Sequence, residues 1–203
     1  MKLDVLSLEE DFMRLVREEE DLHNAEFQGG EAFEADLYGL ELENCDFSGC
    51  RFTDCSFENT TLRDVNFVNC DLSGLNLRDA WMMNVNFTNC KLAGAMFLRA
   101  TLQGCMFCGC SARYANFAKA RLKGCTMVES ALRESVFSEA TFQKCSLACD
   151  FSMADFMHAA LGETDLTACQ IDGALFAPME LRGLTVTREQ AASIAAILGL
   201  QIK

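Results

Sequence analysis

Large apolar residues recur at every fifth position along most of the chain, a spacing that neither an α-helix (period 3.6) nor a β-strand (period 2) explains. With the large apolar residue labelled i, the centres run Phe27, Ala32, Leu37, Leu42, Phe47, Phe52, Phe57, Leu62, Phe67 and Leu72 and keep that frame to Leu147, 25 units without a gap. The frame slips by one between Leu147 and Phe151, then resumes through Phe156, Leu161, Leu166, Ile171, Phe176, Leu181 and Val186. Fourteen of the 16 phenylalanines fall at i; only Phe12 and Phe33 do not.

The other positions have their own chemistry. Position i−2 is small: alanine, or one of 11 of the 12 cysteines, Cys108 being the exception. Position i−1 is mostly polar, as in Asp46, Arg51, Ser56, Asn66, Asp71 and Asn86. Position i+2 is Gly, Asn or Asp in 11 of the 12 units from Gly29 to Asn84, the residues that tolerate positive φ in tight turns. The chain is therefore expected to turn every five residues and to bury two of them each time, as a coil with flat sides and corners.

These units resemble the pentapeptide-repeat family, whose pattern is small, polar, Leu or Phe, polar, polar. The resemblance covers about residues 22 to 186. It implies an all-β, right-handed quadrilateral β-helix of about eight coils, four units to the coil, with residues 20 apart stacked at about 4.8 Å. Columns at that spacing are present: Leu37, Phe57, Leu77, Phe97, Phe117, Phe137, Phe156 and Phe176 form one, and Cys50, Cys70, Cys90, Cys110, Ser130, Cys149 and Cys169 another.

An open coil stack exposes backbone edges that need covering. Residues 1–21 are expected to be a capping segment: Ser7 and Glu10 form a capping-box pattern, and Leu8, Phe12, Leu15 and Val16 have helical spacing. Residues 22–186 form the β-helix and 187–203 a C-terminal helix and tail, where Thr187 with Gln190 and Gly199 mark the ends of the helix. This tail, and the segment Cys149 to Phe156, resemble the Qnr-type quinolone-resistance branch of the family. That resemblance implies a homodimer formed through the C-terminal helix, here by Ile194, Ile197, Leu198, Leu200 and Ile202, and binding to DNA gyrase and topoisomerase IV. A loop that projects from the coils in much of that branch has no counterpart in the repeat frame here, which is similar in this respect to the mycobacterial-type relatives.

Charge bears on the partner. The net charge of −13 excludes direct nucleic-acid binding through phosphates and calls for a basic partner. Through residue 79 there are 20 acidic and 6 basic side chains; the remainder has 10 acidic and 11 basic. Residues 22–79 carry a net −9 over about 14 Å of coil axis, or about one charge per 1.6 Å, close to the roughly 1.7 Å of duplex DNA. The expected partner-binding residues are Glu26, Glu31, Asp36, Glu41, Asp46, Asp54, Asp64 and Asp71, acting as a DNA mimic. The alternative is that the acidity only keeps the stack soluble. Lys91, Arg99, Arg113, Lys119, Arg121, Lys123, Arg133 and Lys144 confine any mimicry to the N-terminal coils. A rigid interaction scaffold with no topoisomerase partner is the competing function, supported by outward apolar residues Trp81, Met83, Met96, Met106, Tyr114 and Val136.

Catalysis is not expected. A core of stacked Phe and Leu leaves no pocket for convergent groups, and His23 and His158 are remote from each other. Cysteines 20 apart form a line rather than a tetrahedron, so they read as small interior fillers, with no metal or other cofactor and no small-molecule substrate; redox chemistry at Cys108 and Cys110 is the minor alternative. With no signal sequence and no run of about 18 apolar residues, the expected setting is the cytoplasm, with free thiols and no membrane contact.

Overall fold

In the computed structural model, which describes residues 4–197 and 199–201, the chain winds into a parallel β-solenoid of about nine turns. Each coil has four sides. Face 1 carries an eight-stranded parallel sheet from Asp4–Leu6 through Ala25–Gln28, Asp46–Ser48 and onward to Ser146–Asp150. Face 4 carries a seven-stranded one, Leu22–His23, Glu41–Glu43, Thr61–Arg63, Trp81–Met83, Thr101–Gln103, Arg121–Lys123 and Thr141–Gln143. Faces 2 and 3, centred on Phe52 and Phe57, are held largely by single bridges such as Arg51 to Asp71 and Ser56 to Asn76. Through most of the stack the register is a shift of 20, so that Phe27 lies under Phe47, Phe47 under Phe67 and Trp81 under Thr101; it is 21 between Asp4 and Ala25, and 19 across the slip, as between Val136 and Asp155.

Alternation along each short strand sends i inward and i±1 outward, while i−2 turns in at the preceding corner. The bore is thus lined by large residues in columns. Phe27, Phe47, Phe67, Phe87 and Phe107 stack on face 1 with ring centroids 4.8–5.3 Å apart. Phe97, Phe117, Phe137, Phe156 and Phe176 stack on face 3 at 4.4–5.3 Å. The two columns meet edge-on, Phe87 to Phe97 at 6.1 Å and Phe97 to Phe107 at 5.8 Å, a geometry contributing about 0.5–1.5 kcal/mol per pair beyond burial. Polar exceptions at i−2 are bonded internally: Thr60 Oγ1 donates to Phe57 O at 2.7 Å and Ser135 Oγ to Leu132 O at 2.6 Å.

The corners match the turn chemistry of position i+2. Asn24, Asn44, Asp64 and Asn84 at one corner, and Gly29, Gly49, Asn69, Asn89 and Gly109 at the next, all have φ between +52° and +70°. The slip removes one such residue. Glu129 is the last left-handed residue of its corner; above it Ser146–Asp150 runs straight through, so Val128 pairs with Ala148 but Ala131 with Asp150. The ladder then continues, Asp150 to Gln170.

The N-terminal end differs in detail from expectation. Asp4–Leu6 adds a rung beneath Ala25–Phe27. Residues Leu8–Phe12 form a π-helical turn, with both Asp11 N and Phe12 N donating to Ser7 O, followed by the α-helix α1, Met13–Arg17. Glu10 N donates to Ser7 Oγ at 3.3 Å, but Ser7 N donates to Asp11 Oδ2 (2.9 Å) rather than to Glu10, because the wider turn brings residue 11 back to the cap. Phe12 plugs the bore edge-on to Phe27, Phe47 and Phe52 at 5.6–6.0 Å. Glu9 Oε1 accepts from the otherwise open Glu31 N–H at 3.1 Å, and Asp21 Oδ1 from Glu41 N at 2.8 Å. These carboxylates close the edge that a further coil would have paired.

Two substitutions separate core from corner. Phe97→Ala removes a ring stacked at 4.4 Å on Phe117 and is expected to cost about 3–5 kcal/mol in denaturant unfolding. At Gly94 (φ +67°) an added Cβ meets no atom within 4 Å, so Gly94→Ala should cost only the backbone penalty of about 1–2 kcal/mol. Gly94→Asn should recover much of it; equal losses for Ala and Asn would refute the conformational explanation.

Candidate functional site

Acidic residues five apart fall on successive sides of the coil. Glu26 and Asp46 stack in register on face 1, where Asp46 Oδ1 accepts from Asn66 Nδ2 at 2.6 Å. Glu31 and Asp71 lie on face 2 below and above Arg51. Asp36 lies on face 3 and Glu41 on face 4. Asp54 and Asp64 are corner residues, with φ of 53° each. The eight expected partner-binding residues therefore encircle the rod rather than sharing one surface.

One part of the ring is denser than the rest. Around the corner between faces 2 and 3, Glu34 and Asp54 stand between Glu31 on one side and Asp36 and Glu58 on the other; no cation among the described residues pairs with any of them. Phe33 and Tyr38 project from the same patch, 52% and 64% exposed. Tyr38 was missed from the sequence; Phe33 was visible there only as a phenylalanine out of frame.

Elsewhere neighbouring rungs neutralise each other. Arg63 reaches Glu41 at 3.1 Å and Glu43 at 3.5 Å, and Lys91 reaches Asp71 at 3.2 Å. The Arg99 guanidinium bonds Asp79 and holds its carboxyl below the usual carboxylate range. In the middle coils Arg113 pairs with Glu134, Lys119 with Glu139 at 3.5 Å and Arg133 with Asp150 at 3.1 Å. The outward apolar residues do not converge: Trp81 and Met83 are on face 4, Met96 and Val136 on face 3, Met106 on face 1 and Tyr114 at a corner.

At the C-terminal end the capping box is complete. Gln190 N donates to Thr187 Oγ1 (3.2 Å) and Thr187 N to Gln190 Oε1 (2.8 Å) at the start of α2, Arg188–Ile197. The Gln190 Nε2 donates to Leu166 O and Cys169 O, both at 2.8 Å, which closes carbonyls of the upper coils. Of the residues expected to dimerise, Ile194 is buried against the chain's own last coil, while Ile197 and Leu200 are 42% and 63% exposed. Leu198 and Ile202 lie outside the described residues. An open apolar hollow of about 240 Å³ lies between Leu181, Leu184, Val186, Ile194 and Leu200.

The thiols form the expected columns. Cys50, Cys70, Cys90 and Cys110 each donate from Sγ to a carbonyl of the coil below, Phe27, Phe47, Phe67 and Phe87, at 3.3–3.7 Å. Cys108 points outward and is half-buried, whereas Cys110 points in. Burial pushes the Cys45 and Cys149 thiols up to about 11.

Comparisons with known proteins agree with this architecture. The family profile described as "Pentapeptide repeat region" matches residues 40–117 and 80–148, and "Pentapeptide repeats (8 copies)" matches residues 21–54. No curated protein matches the sequence. Among solved structures the chain is similar to full-length QnrB1, a plasmid-mediated fluoroquinolone resistance protein, with 22% identity, 98% of this chain and 99% of that one covered, and a TM-score of 0.47. It is also similar to AT2G44920, a pentapeptide repeat protein from the Arabidopsis thaliana thylakoid lumen (21% identity, 48% and 61% covered, TM-score 0.36). A third is HetL, a pentapeptide repeat protein involved in heterocyst differentiation regulation from the cyanobacterium Nostoc sp. strain PCC 7120 (17%, 81% and 88%, 0.24).

Those interior thiols whose pKa folding raises, Cys45 and Cys149 among them, make stability alkali-sensitive. A thiol whose pKa is raised from 9.0 to about 11 by folding keeps its proton in the native state after the unfolded chain has lost it. Stability is then fully present below pH 9 and falls between about pH 9 and 11, by roughly 1.4 kcal/mol per pH unit per thiol. Replacing Cys45 and Cys149 by Ala should make that fall shallower, by their two thiols' share, in urea unfolding midpoints measured from pH 8 to 11; an unchanged slope would show that these thiols do not contribute to it.

Proposed function

The chain belongs to the pentapeptide-repeat family, and we propose that it acts without catalysis, as a DNA mimic that binds DNA gyrase or topoisomerase IV and alters their response to quinolones. The observation that supports this reading is the carboxylate patch Glu31, Glu34, Asp36, Asp54 and Glu58 on two successive coils, which no cation among the described residues pairs. A basic groove shaped for duplex DNA meets in it a dense cluster of negative charge on two successive coils, without the flexibility of a disordered acidic tail. Glu26, Asp46 and Asp64 extend the array round the rod, while Glu41 and Asp71 contribute less because Arg63 and Lys91 already hold them.

The same proposal includes a homodimer built on the C-terminal segment 187–203. Ile197, Leu200 and the apolar hollow beside α2 support it as a face that a second copy would cover, with Leu198 and Ile202 as further contributors. The setting proposed is the cytoplasm; among the described residues no helix is long and apolar enough to cross a membrane.

A second reading, a protein-interaction scaffold with no topoisomerase partner, is favoured by face 3 of the upper coils. There Met96, Leu98, Ala118, Val136, Met157 and Leu175 point outward. One assay separates the two. Purified protein is expected to relieve quinolone inhibition of gyrase supercoiling, or to inhibit supercoiling at higher concentration. Glu31→Lys, Asp36→Lys and Glu58→Lys combined should weaken the effect at least about tenfold and reduce its salt dependence, with an unchanged far-ultraviolet spectrum. No effect of the wild-type protein at any concentration would leave the scaffold reading standing.

A further inference from the structure

Face 4 is charged in an ordered way of which the mimicry uses only Glu41, and that weakly, and the C-terminal dimer nothing. Of its seven strands, Trp81–Met83 is the fourth and central one. Two strands below it Glu41 and Glu43 point outward and share the one guanidinium of Arg63, which leaves that end net negative, and two strands above it Arg121 and Lys123 point outward. Acidic and basic pairs thus sit about 10 Å on either side of the indole, in matching lateral positions. Arg121 and Lys123 are exposed and form no ion pair among the described residues. Their partners on the adjoining strands, Thr101, Gln103, Thr141 and Gln143, are neutral and offer them no counter-charge.

We propose that face 4 is a self-complementary surface on which a second copy of this chain docks antiparallel. The twofold axis would run along the Trp81–Met83 strand. Turning a copy about that axis sets Glu41 opposite Arg121 of the second copy, and Glu43 opposite its Lys123, twice over. Trp81 and Met83 then meet their own counterparts at the centre. The remaining rungs bring no like charges together: Arg63 faces Gln103, Thr61 faces Thr101 and His23 faces Gln143. A parallel arrangement would set Glu41 against Glu43 and Arg121 against Lys123, so charge selects the antiparallel one. An unrelated partner would have to reproduce this same layout in reverse, which a second copy does by symmetry. Arg63 stands over the indole with Cζ 5.7 Å from the ring centroid and would lie inside the contact.

The area sets the strength. Seven strands of three residues or fewer cover about 30 Å by 10 Å, or roughly 300 Å² per copy, well below the ~800 Å² per partner of a stable complex. The association is therefore transient, concentration-dependent and salt-sensitive. It leaves the corner carrying Asp54 and the C-terminal helix uncovered, so it can link copies already paired through that helix. It does not depend on the topoisomerase reading.

Trp81 is the sole tryptophan, so its emission reports this face alone. With the full chain, raising the concentration at 50 mM NaCl should shift Trp81 emission to the blue and raise the mass in sedimentation velocity, with an apparent Kd roughly tenfold weaker at 500 mM NaCl. Arg121→Glu with Lys123→Glu should abolish both signals, as should Glu41→Lys with Glu43→Lys; an equimolar mixture of the two variants should restore them, since one face is then wholly acidic and the other wholly basic. These side chains point away from the core, and circular dichroism checks the fold of each variant. The Trp81 shift should survive Leu200→Asp, which targets the C-terminal contact. A mass increase with unmoved Trp81 emission, or a mixture that associates no better than its components, would overturn the proposal.

Discussion

A left-handed residue at every fifth position is the constraint on which the structure rests. Each corner must change direction within two residues while keeping the next strand in register with the rung below. Gly, Asn and Asp meet this at low cost, and where they are absent the chain still adopts it, as at Arg99, Tyr114, Lys119, Glu134 and Lys144, with φ from 54° to 63°. Those residues carry strain of order 1 kcal/mol each. The stacked interior over-determines them: a corner that relaxed would pull both an i and an i−2 side chain out of columns that contact the coils above and below. The slip at Ala148 and Cys149 fits the same logic, because the lost residue is a corner residue and both inward columns continue past it.

The solenoid was legible because its signal is periodic and redundant. Turn chemistry at i+2, bulk at i and smallness at i−2 agree in unit after unit, so one irregular unit such as Ala32 does not disturb the frame. What escaped is what repeats nowhere. The rung Asp4–Leu6 has no partner in the frame and is recognised only by lying under Ala25–Phe27. The π-helical turn depends on Phe12 reaching into the bore, a tertiary contact with Phe27, Phe47 and Phe52 that helical spacing does not encode. Both ends are closed by side chains answering to orphaned backbone groups, Glu9 and Asp21 below and Gln190 above. Gln190 was readable as half of a capping box, but its second role, closing the Leu166 and Cys169 carbonyls, was not.

The candidate site was legible in kind and not in shape. Counting charge along the chain located it in the first coils, yet Glu26, Glu31, Asp36, Glu41 and Asp46 are five apart and so travel round the coil, one to each side. Neighbours on the surface are instead 20 apart, or adjacent across a corner. Sorted in that way, Glu31, Glu34, Asp36, Asp54 and Glu58 fall together, and Glu41 separates toward a face whose opposite end is basic.

Stacking also decides which charges are free to act. Two like charges on successive rungs are about 4.8 Å apart and repel by about 1 kcal/mol in water-like surroundings, and by about 3–4 kcal/mol at an effective dielectric of 20. Other columns relieve this with a counter-charge on an adjoining rung, Asp71 with Lys91, and Asp79 with Arg99 and Lys119 with Glu139 on either side of the like-charged step from Arg99 to Lys119. Glu26 under Asp46, and Glu34 under Asp54, do not alternate. Nothing in the folding of the rod calls for those repulsions, since a neutral outward residue would serve the coil as well. A cationic surface laid across them would turn the repulsion into attraction, which makes these unrelieved stacks a better mark of a binding surface than the total charge of the chain.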